Sequence, residues 1–148
     1  MCGPSGSGKS FVARQLEGEG LVRLSFDAEA WARGYRTMPL PASIHAEIEA
    51  ELRCRLIGLV RDSQDVVLDF SFWSRDMRDR WRAILAPLGV VPETVYVKTD
   101  RETALARVRA RNGSGQDDFQ LTEDVARRHY DGFEPPTDDE GPLTVVAT

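Results

Sequence analysis

The chain has 148 residues, 41% hydrophobic and 29% charged, the balance of one soluble globular domain with a single core rather than of a disordered segment. No apolar run approaches the roughly 18 residues of a membrane span, the glycine- and serine-rich start is unlike a signal peptide, and two cysteines, Cys2 and Cys54, are too few for a disulfide framework or a zinc site. These features predict a cytoplasmic protein, and the net charge of -5 weighs against a long nucleic-acid partner, although a local arginine groove can coexist with acidic surroundings.

Hydrophobic periodicity predicts alternating helices and strands. A helix is expected from Lys9 to about Glu17, stopped by Gly18-Glu19-Gly20, then a strand from Leu21 to Phe26 ending at Asp27. A short helix at Ala28–Arg33 and a Pro39-Leu40-Pro41 loop follow. Ile44, Ile48, Leu52, Leu56 and Leu59 form the apolar stripe of a longer helix, and Val66-Val67-Leu68 reads as a buried parallel strand ending in Asp69. Ser74 begins a helix with Met77, Trp81, Ile84 and Leu85 on its apolar face. Glu93–Lys98 is a strand, Asp100 caps a helix from Arg101 to about Arg111, and the polar, glycine-rich Asn112–Gln120 segment is a mobile loop. Thr122 caps a last helix, and Leu143–Ala147 is a final strand. The pattern is α/β with a mostly parallel sheet in one domain spanning residues 1–148, with a lid near 112–120.

Gly3-Pro4-Ser5-Gly6-Ser7-Gly8-Lys9-Ser10 fits G-x-x-x-x-G-K-[ST]. With glycine at roughly 7% of residues, a chance match in such a chain is on the order of one in two hundred, so the spacing calls for a physical cause. Glycines at these positions let successive backbone N–H groups turn inward as an anion nest, and the helix that follows adds its positive N-terminal end. Gly3, Ser5, Gly6, Ser7 and Gly8 are therefore expected to cradle the phosphates of a nucleoside triphosphate, ATP with Mg2+. Lys9 would reach the β- and γ-phosphates, and the Ser10 hydroxyl would join the metal shell.

Two aspartates end strands, the position from which side chains reach a ligand in open α/β sheets. Asp69 is a candidate magnesium partner or acceptor contact, and alternatively a cap for the Ser71–Ser74 turn. Asp27 can accept a substrate hydroxyl proton during phosphoryl transfer, and alternatively caps the helix at Ala28. Arg107 and Arg111, four apart, lead into the glycine-rich loop, where cations on a closing lid would neutralise a transferring phosphoryl group; the rival reading is a solvated basic face. Arg75, Arg78 and Arg82 make a similar stripe, and Trp31, Tyr35, Phe72 and Trp73 are candidates for an acceptor pocket or for core packing. His45 and His129 belong to no metal-like cluster and read as structural or surface residues.

With the phosphate loop, Ser25-Phe26-Asp27, Val66 through Ser74, Arg78, Arg107 and Arg111, and Phe133-Glu134-Pro135-Pro136, the chain resembles the small P-loop kinases of the AAA-domain-containing type. That group is similar to polynucleotide 5′-kinases, zeta toxins and chloramphenicol phosphotransferase. The resemblance covers nearly the whole chain. It implies a three-layer fold with a parallel sheet in the order 2-3-1-4-5, an acceptor base at Asp27, metal and acceptor organisation at Asp69, and phosphate contacts from Arg107 and Arg111. Against that pattern the first strand and the closing helix are essentially missing, so a natural start upstream of Met1 is expected. The function this implies is transfer of the γ-phosphate of ATP to a hydroxyl of a small molecule. The alternatives are a polynucleotide or RNA 5′-hydroxyl kinase and a nucleotide-sensing ATPase without an acceptor.

Overall fold

The computed structural model describes residues 1–111 and 119–148. Helices and strands alternate as the periodicity predicts: α1 (Lys9–Gly18), β1 (Val22–Ser25), α2 (Phe26–Ala32), α3 (Ala42–Arg61), β2 (Val66–Asp69), α4 (Arg75–Leu85), β3 (Thr94–Lys98), α5 (Arg101–Arg109), α6 (Glu123–Asp131) and β4 (Leu143–Ala147). Three helix starts are fixed by the expected capping side chains. Ser74, Asp100 and Thr122 accept the amides of Met77, Thr103 and Val125, satisfying donors that a first turn leaves without an intrahelical partner.

Two boundaries differ from expectation. The first helix after β1 begins at Phe26, not Ala28, and its cap is Ser25, whose hydroxyl accepts the Ala28 amide at 3.2 Å. Asp27 thus lies inside the first turn and does not cap it. Helix α5 ends at Arg109, so Arg111 stands beyond its C-cap rather than on the same helix as Arg107.

All strand pairing is parallel. Val22–Ser25 runs in register with Val66–Asp69, and Thr94–Lys98 with Leu143–Ala147. The hydrogen bonds define these as two separate pairs rather than one continuous five-stranded sheet. Met1 and Cys2 span the space between them. The Met1 amino group donates to the Leu68 carbonyl at 2.9 Å, the Cys2 amide donates to the Val95 carbonyl at 2.8 Å, and the Val97 amide returns to the Cys2 carbonyl at 2.8 Å.

The strands are apolar on both faces because helices cover both. Leu24, Ile48, Leu52, Phe70, Trp81 and Leu85 pack on the side of α3 and α4. On the other side Val67 and Val97 pack with Ala13 of α1. Burial of this kind contributes roughly 1.5–3 kcal/mol per large side chain and holds the layers together. Upstream of the Met1–Cys2 bridge, a cavity of about 620 Å³ separates β2 from β3, with Leu21, Leu56, Val66, Trp81, Leu85 and Val95 among its walls. None of Gly3–Ser10 lines it, so this cavity is distinct from the phosphate loop.

Candidate functional site

The loop from Gly3 to Gly8 leaves the Met1–Cys2 segment and turns into α1 at the carboxyl ends of β1, β2 and β3. Its backbone is folded so closely that side chains are forbidden at two positions. A Cβ on Gly6, at φ 82°, would lie 2.2 Å from the Ala104 carbonyl oxygen of α5. A Cβ on Gly3 would lie 2.8 Å from the Val97 carbonyl oxygen of β3. Gly3 and Gly6 are therefore required by close approach to neighbouring backbone as well as by the nest, and Gly8 by its left-handed φ of 93°. Gly8 precedes α1 and offers no capping side chain, and the first turn of α1 holds no acidic residue. The helix end thus faces the loop with its partial positive charge uncompensated by a carboxylate of its own, which suits an anion.

The carbonyl side of the loop is braced from α5 and the C-terminus. The Ser7 carbonyl accepts from the Thr99 hydroxyl at 3.2 Å, the Thr148 hydroxyl at 3.0 Å and Arg107 at 3.4 Å; Arg107 also reaches the Gly6 carbonyl at 3.5 Å. These bonds hold the carbonyls outward. The Ser5 hydroxyl lies 3.1 Å from Nδ1 of His129 on α6, whose pKa is lowered by burial and by the nearby Arg128 and Lys9 cations.

Lys9 is half-buried, and its ammonium donates to the Pro4 carbonyl at 2.9 Å. Burial lowers its pKa to about 8, against the opposing pull of Asp69 and Asp27 and with a further push from Arg111. That set of influences places both aspartates and Arg111 within electrostatic reach of one ammonium group. The Ser10 hydroxyl donates to Oδ1 of Asp69 at 3.3 Å. The other oxygen, Oδ2, is held by Nε and Nη2 of Arg23 at 3.0 and 2.6 Å. Asp69 is 3% exposed and points at α1, so it does not cap the turn before α4, a task that falls to Ser74.

The structure thus brings together Gly3, Ser5, Gly6, Ser7, Gly8, Lys9, Ser10, Asp27 and Asp69, with Arg111 near and Arg107 on the loop's carbonyl side. Other candidates are used elsewhere. Arg78 and Arg82 pair with Glu140, Phe72 sits in the core against Phe70 and Trp81, and Trp73 is exposed. Trp31 meets Phe119 edge-on at 5.6 Å and carries Arg36 over its ring at 4.0 Å, beside α2. Of the lid expected at 112–120, residues 112–118 lie outside the described residues; Phe119 is buried. The phosphate-loop motif does not reach Arg23 or His129, and only the packing of α1 over β1 makes the Arg23 charge a buried one.

The loop geometry tests whether a nucleotide triphosphate with magnesium suits these residues. A cradle that excludes Cβ atoms, a half-buried lysine bonded to a loop carbonyl, and a serine hydroxyl joined to a buried carboxylate are the donor set such a ligand needs. Among the described residues no group of three or more His, Cys, Asp or Glu stands ready to hold a metal by protein ligands alone. No helix among the described residues is long and apolar enough to cross a membrane.

Comparison with known proteins agrees with this geometry. The AAA domain family model matches residues 1–136. No curated protein sequence matches the chain. Similar solved structures include a sugar kinase from Janibacter sp. HTCC2649, with a TM-score of 0.69 and 21% identity over 99% of this chain and 82% of that one. A gluconokinase from Sinorhizobium meliloti 1021 gives 0.66 and 23%, covering 99% and 79%. Chaetomium thermophilum Kti12, in complex with ADP-AlF3, gives 0.68 and 19%, covering 99% and 86%. The phosphate loop, the parallel α/β frame and the family match together make this chain a member of the AAA domain family with the fold of the small P-loop kinases.

Proposed function

We propose that the protein is an ATP-dependent kinase that moves the γ-phosphoryl group of ATP to a hydroxyl of a small-molecule acceptor. The observation that carries this reading is Asp27. It lies just past the end of β1, is released from capping by Ser25, and is close enough to Lys9 to favour the charged ammonium. A nucleotide sensor has no use for a second carboxylate on the phosphate side of the lysine, whereas a kinase needs one to aim an acceptor hydroxyl in line.

Ser5, Gly6 and Gly8 would supply backbone donors to the phosphates, with Lys9 on the β- and γ-oxygens, while the Gly3 and Ser7 amides shape the loop by donating to the Ser71 and Pro4 carbonyls. Ser10 and Asp69 would hold magnesium, directly and through water, and the ion would neutralise charge on the bridging phosphate oxygens. Arg107 braces the loop from its carbonyl side, and Arg111, whose charge reaches Lys9, would meet the γ-phosphoryl group. The acceptor would enter beside Asp27, where Trp31 and Tyr35, packed against the core on one side, would be candidates for an apolar wall. Sugars and sugar acids are the first candidates, since a sugar kinase and a gluconokinase share the fold. An activity that draws on ATP would be expected in the cytoplasm.

A product-mass screen with ATP and magnesium tests this, using sugars, sugar acids, nucleosides, antibiotics and 5′-hydroxyl oligonucleotides as acceptors. A mass gain of one phosphoryl group on a small hydroxyl compound is expected. A gain on oligonucleotides alone would make the protein a nucleic-acid end kinase. ATP hydrolysis that no acceptor accelerates or diverts would make it a nucleotide-sensing ATPase.

A further inference from the structure

The geometry points to Arg23 as the positioning residue of the magnesium site: it fixes the Asp69 carboxylate so that Oδ1 serves Ser10 and the metal's water shell while Lys9 stays with the phosphates. The inference rests on the reading of Ser10 and Asp69 as the magnesium-holding pair.

The register of the strands puts the two residues together. Arg23 is paired with Val67, two residues before Asp69, so Arg23 and Asp69 lie on the same face of the β1–β2 pair. That face is the one α1 covers, since Val67 packs with Ala13. Arg23 is therefore 10% exposed and Asp69 3% exposed, and neither charge can be left to water.

The bonding is asymmetric. Nε and Nη2 of Arg23 both end on Oδ2, at 3.0 and 2.6 Å, and only Oδ1 meets the Ser10 hydroxyl, at 3.3 Å. One oxygen is anchored and the other is aimed. A carboxylate without that anchor would be free to rotate about its last bond, and Oδ1 would no longer be held toward Ser10. Lys9 is another cation within reach of it, since its ammonium already feels Asp69. An Asp69–Lys9 contact would draw the lysine away from the phosphates. Arg23 supplies the counter-charge that keeps the two functions apart, and a fixed guanidinium does so with a defined geometry that an ammonium lacks.

Calorimetric titration with ADP, with and without magnesium, reads the effect without any turnover. Wild type should bind ADP more tightly when magnesium is present. Arg23→Gln should lose about tenfold or more of that increment, the range for groups that orient a metal's ligands, while metal-free ADP affinity changes little. Arg23→Lys, which keeps the charge, should recover part of it and guards against a poorly folded Gln variant. Manganese resonance spectra of the ADP complex should broaden in Arg23→Gln, and Asp69→Asn should show the same loss, with no further loss in the double variant. If both Arg23 variants keep the full increment, or if ADP affinity falls equally with and without metal, Arg23 is a structural ion-pair member and the inference is wrong. If Asp69→Asn itself keeps the increment, the magnesium reading fails and takes this inference with it.

Discussion

Arg78 and Glu140 face each other inside the protein, 62 residues apart in the chain, with two bonds of 2.7 and 2.8 Å between guanidinium and carboxylate and both side chains 3% exposed. Arg78 also donates to the carbonyls of Phe72 and Glu134, at 3.0 and 2.9 Å. One side chain on α4 thereby ties the segment before β4 to the turn after β2. The Arg78 bond pulls the Glu140 pKa down to about 2 from an ordinary 4.5, with Arg82 and the Thr137 amide adding to it against burial.

A carboxylate with a depressed folded-state pKa adds stability that is fully present above its unfolded value and is lost as pH falls. For Glu140 the window runs from about 4.5 down to about 2. Glu140→Gln leaves Arg78 buried without its counter-ion and should cost about 3 kcal/mol or more at neutral pH. The gap between variant and wild type should then narrow as pH falls through the window. Denaturant melts at pH 7 and pH 3 check both points, and a gap that is constant with pH would mean that the pair does not set the acid sensitivity.

Lys9 sets a second pH dependence, this time on binding. Its amine in the nucleotide-free protein has a pKa of about 8, and a triphosphate requires the charged form. Below pH 8 the ammonium is present; above it each unit of pH should weaken ATP binding by about tenfold until the phosphate-bound amine itself begins to lose its proton. At pH 7, ATP and magnesium at 100 times the dissociation constant should protect the fold by about 2.7 kcal/mol, and Lys9→Ala should abolish the protection. An unchanged thermal shift in Lys9→Ala would count against the phosphate loop, and a flat affinity between pH 7 and 9.5 against the lowered pKa.

The cavity between β2 and β3 adjoins the Met1–Cys2 bridge, where hydrogen bonds reach Leu68 on one side and Val95 on the other as those of a strand would. Val66 lines it on the same strand edge as Leu68. An engineered extension of four β-branched residues before Met1 is expected to enter as a parallel strand. It would bury apolar side chains at roughly 1.5–3 kcal/mol each, less about 1–2 kcal/mol per residue for ordering the backbone. A melting temperature raised by about 5 °C or more is expected, and the same extension with aspartate at its second and fourth positions should remove the gain. Equal melting of both extensions would show that the cavity does not accept a strand.

Much of this was legible in the sequence because the responsible physics is local. The anion nest needs glycine where Gly3 and Gly6 meet neighbouring backbone, and Ser74, Asp100 and Thr122 precede helices with the side chains that cap them. Ser25 was overlooked because the alternation of Val22, Leu24 and Phe26 carries the strand pattern past it, and because Asp27 is an equally good capping type. Arg23 and Glu140 were illegible for a different reason. An arginine alternating with apolar residues, or an acidic run such as Asp138-Asp139-Glu140, reads as a solvated face until a distant element covers it. For Arg23 that element is α1, and for Glu140 it is α4. The cover is a tertiary fact with no short-range signature.

Asp27 carries the strongest test of the proposed chemistry. Because Ser25 caps α2, Asp27→Asn removes no helix cap and should melt near wild type, whereas Ser25→Ala should cost about 1 kcal/mol. Asparagine keeps the shape of the carboxylate but cannot take a proton, so phosphoryl transfer should slow about 10²–10⁴-fold with ATP still bound. The Asp27 charge also supports the Lys9 ammonium, so its loss should move the pH midpoint of ATP binding downward from about 8. Single-turnover rates on the acceptor, together with ATP affinity across pH, separate these effects. A variant with full turnover on the acceptor would leave Asp27 as an electrostatic neighbour of Lys9 and nothing more. A lowered pH midpoint with unchanged transfer would point the same way, toward a protein that binds nucleotide without passing its phosphate on.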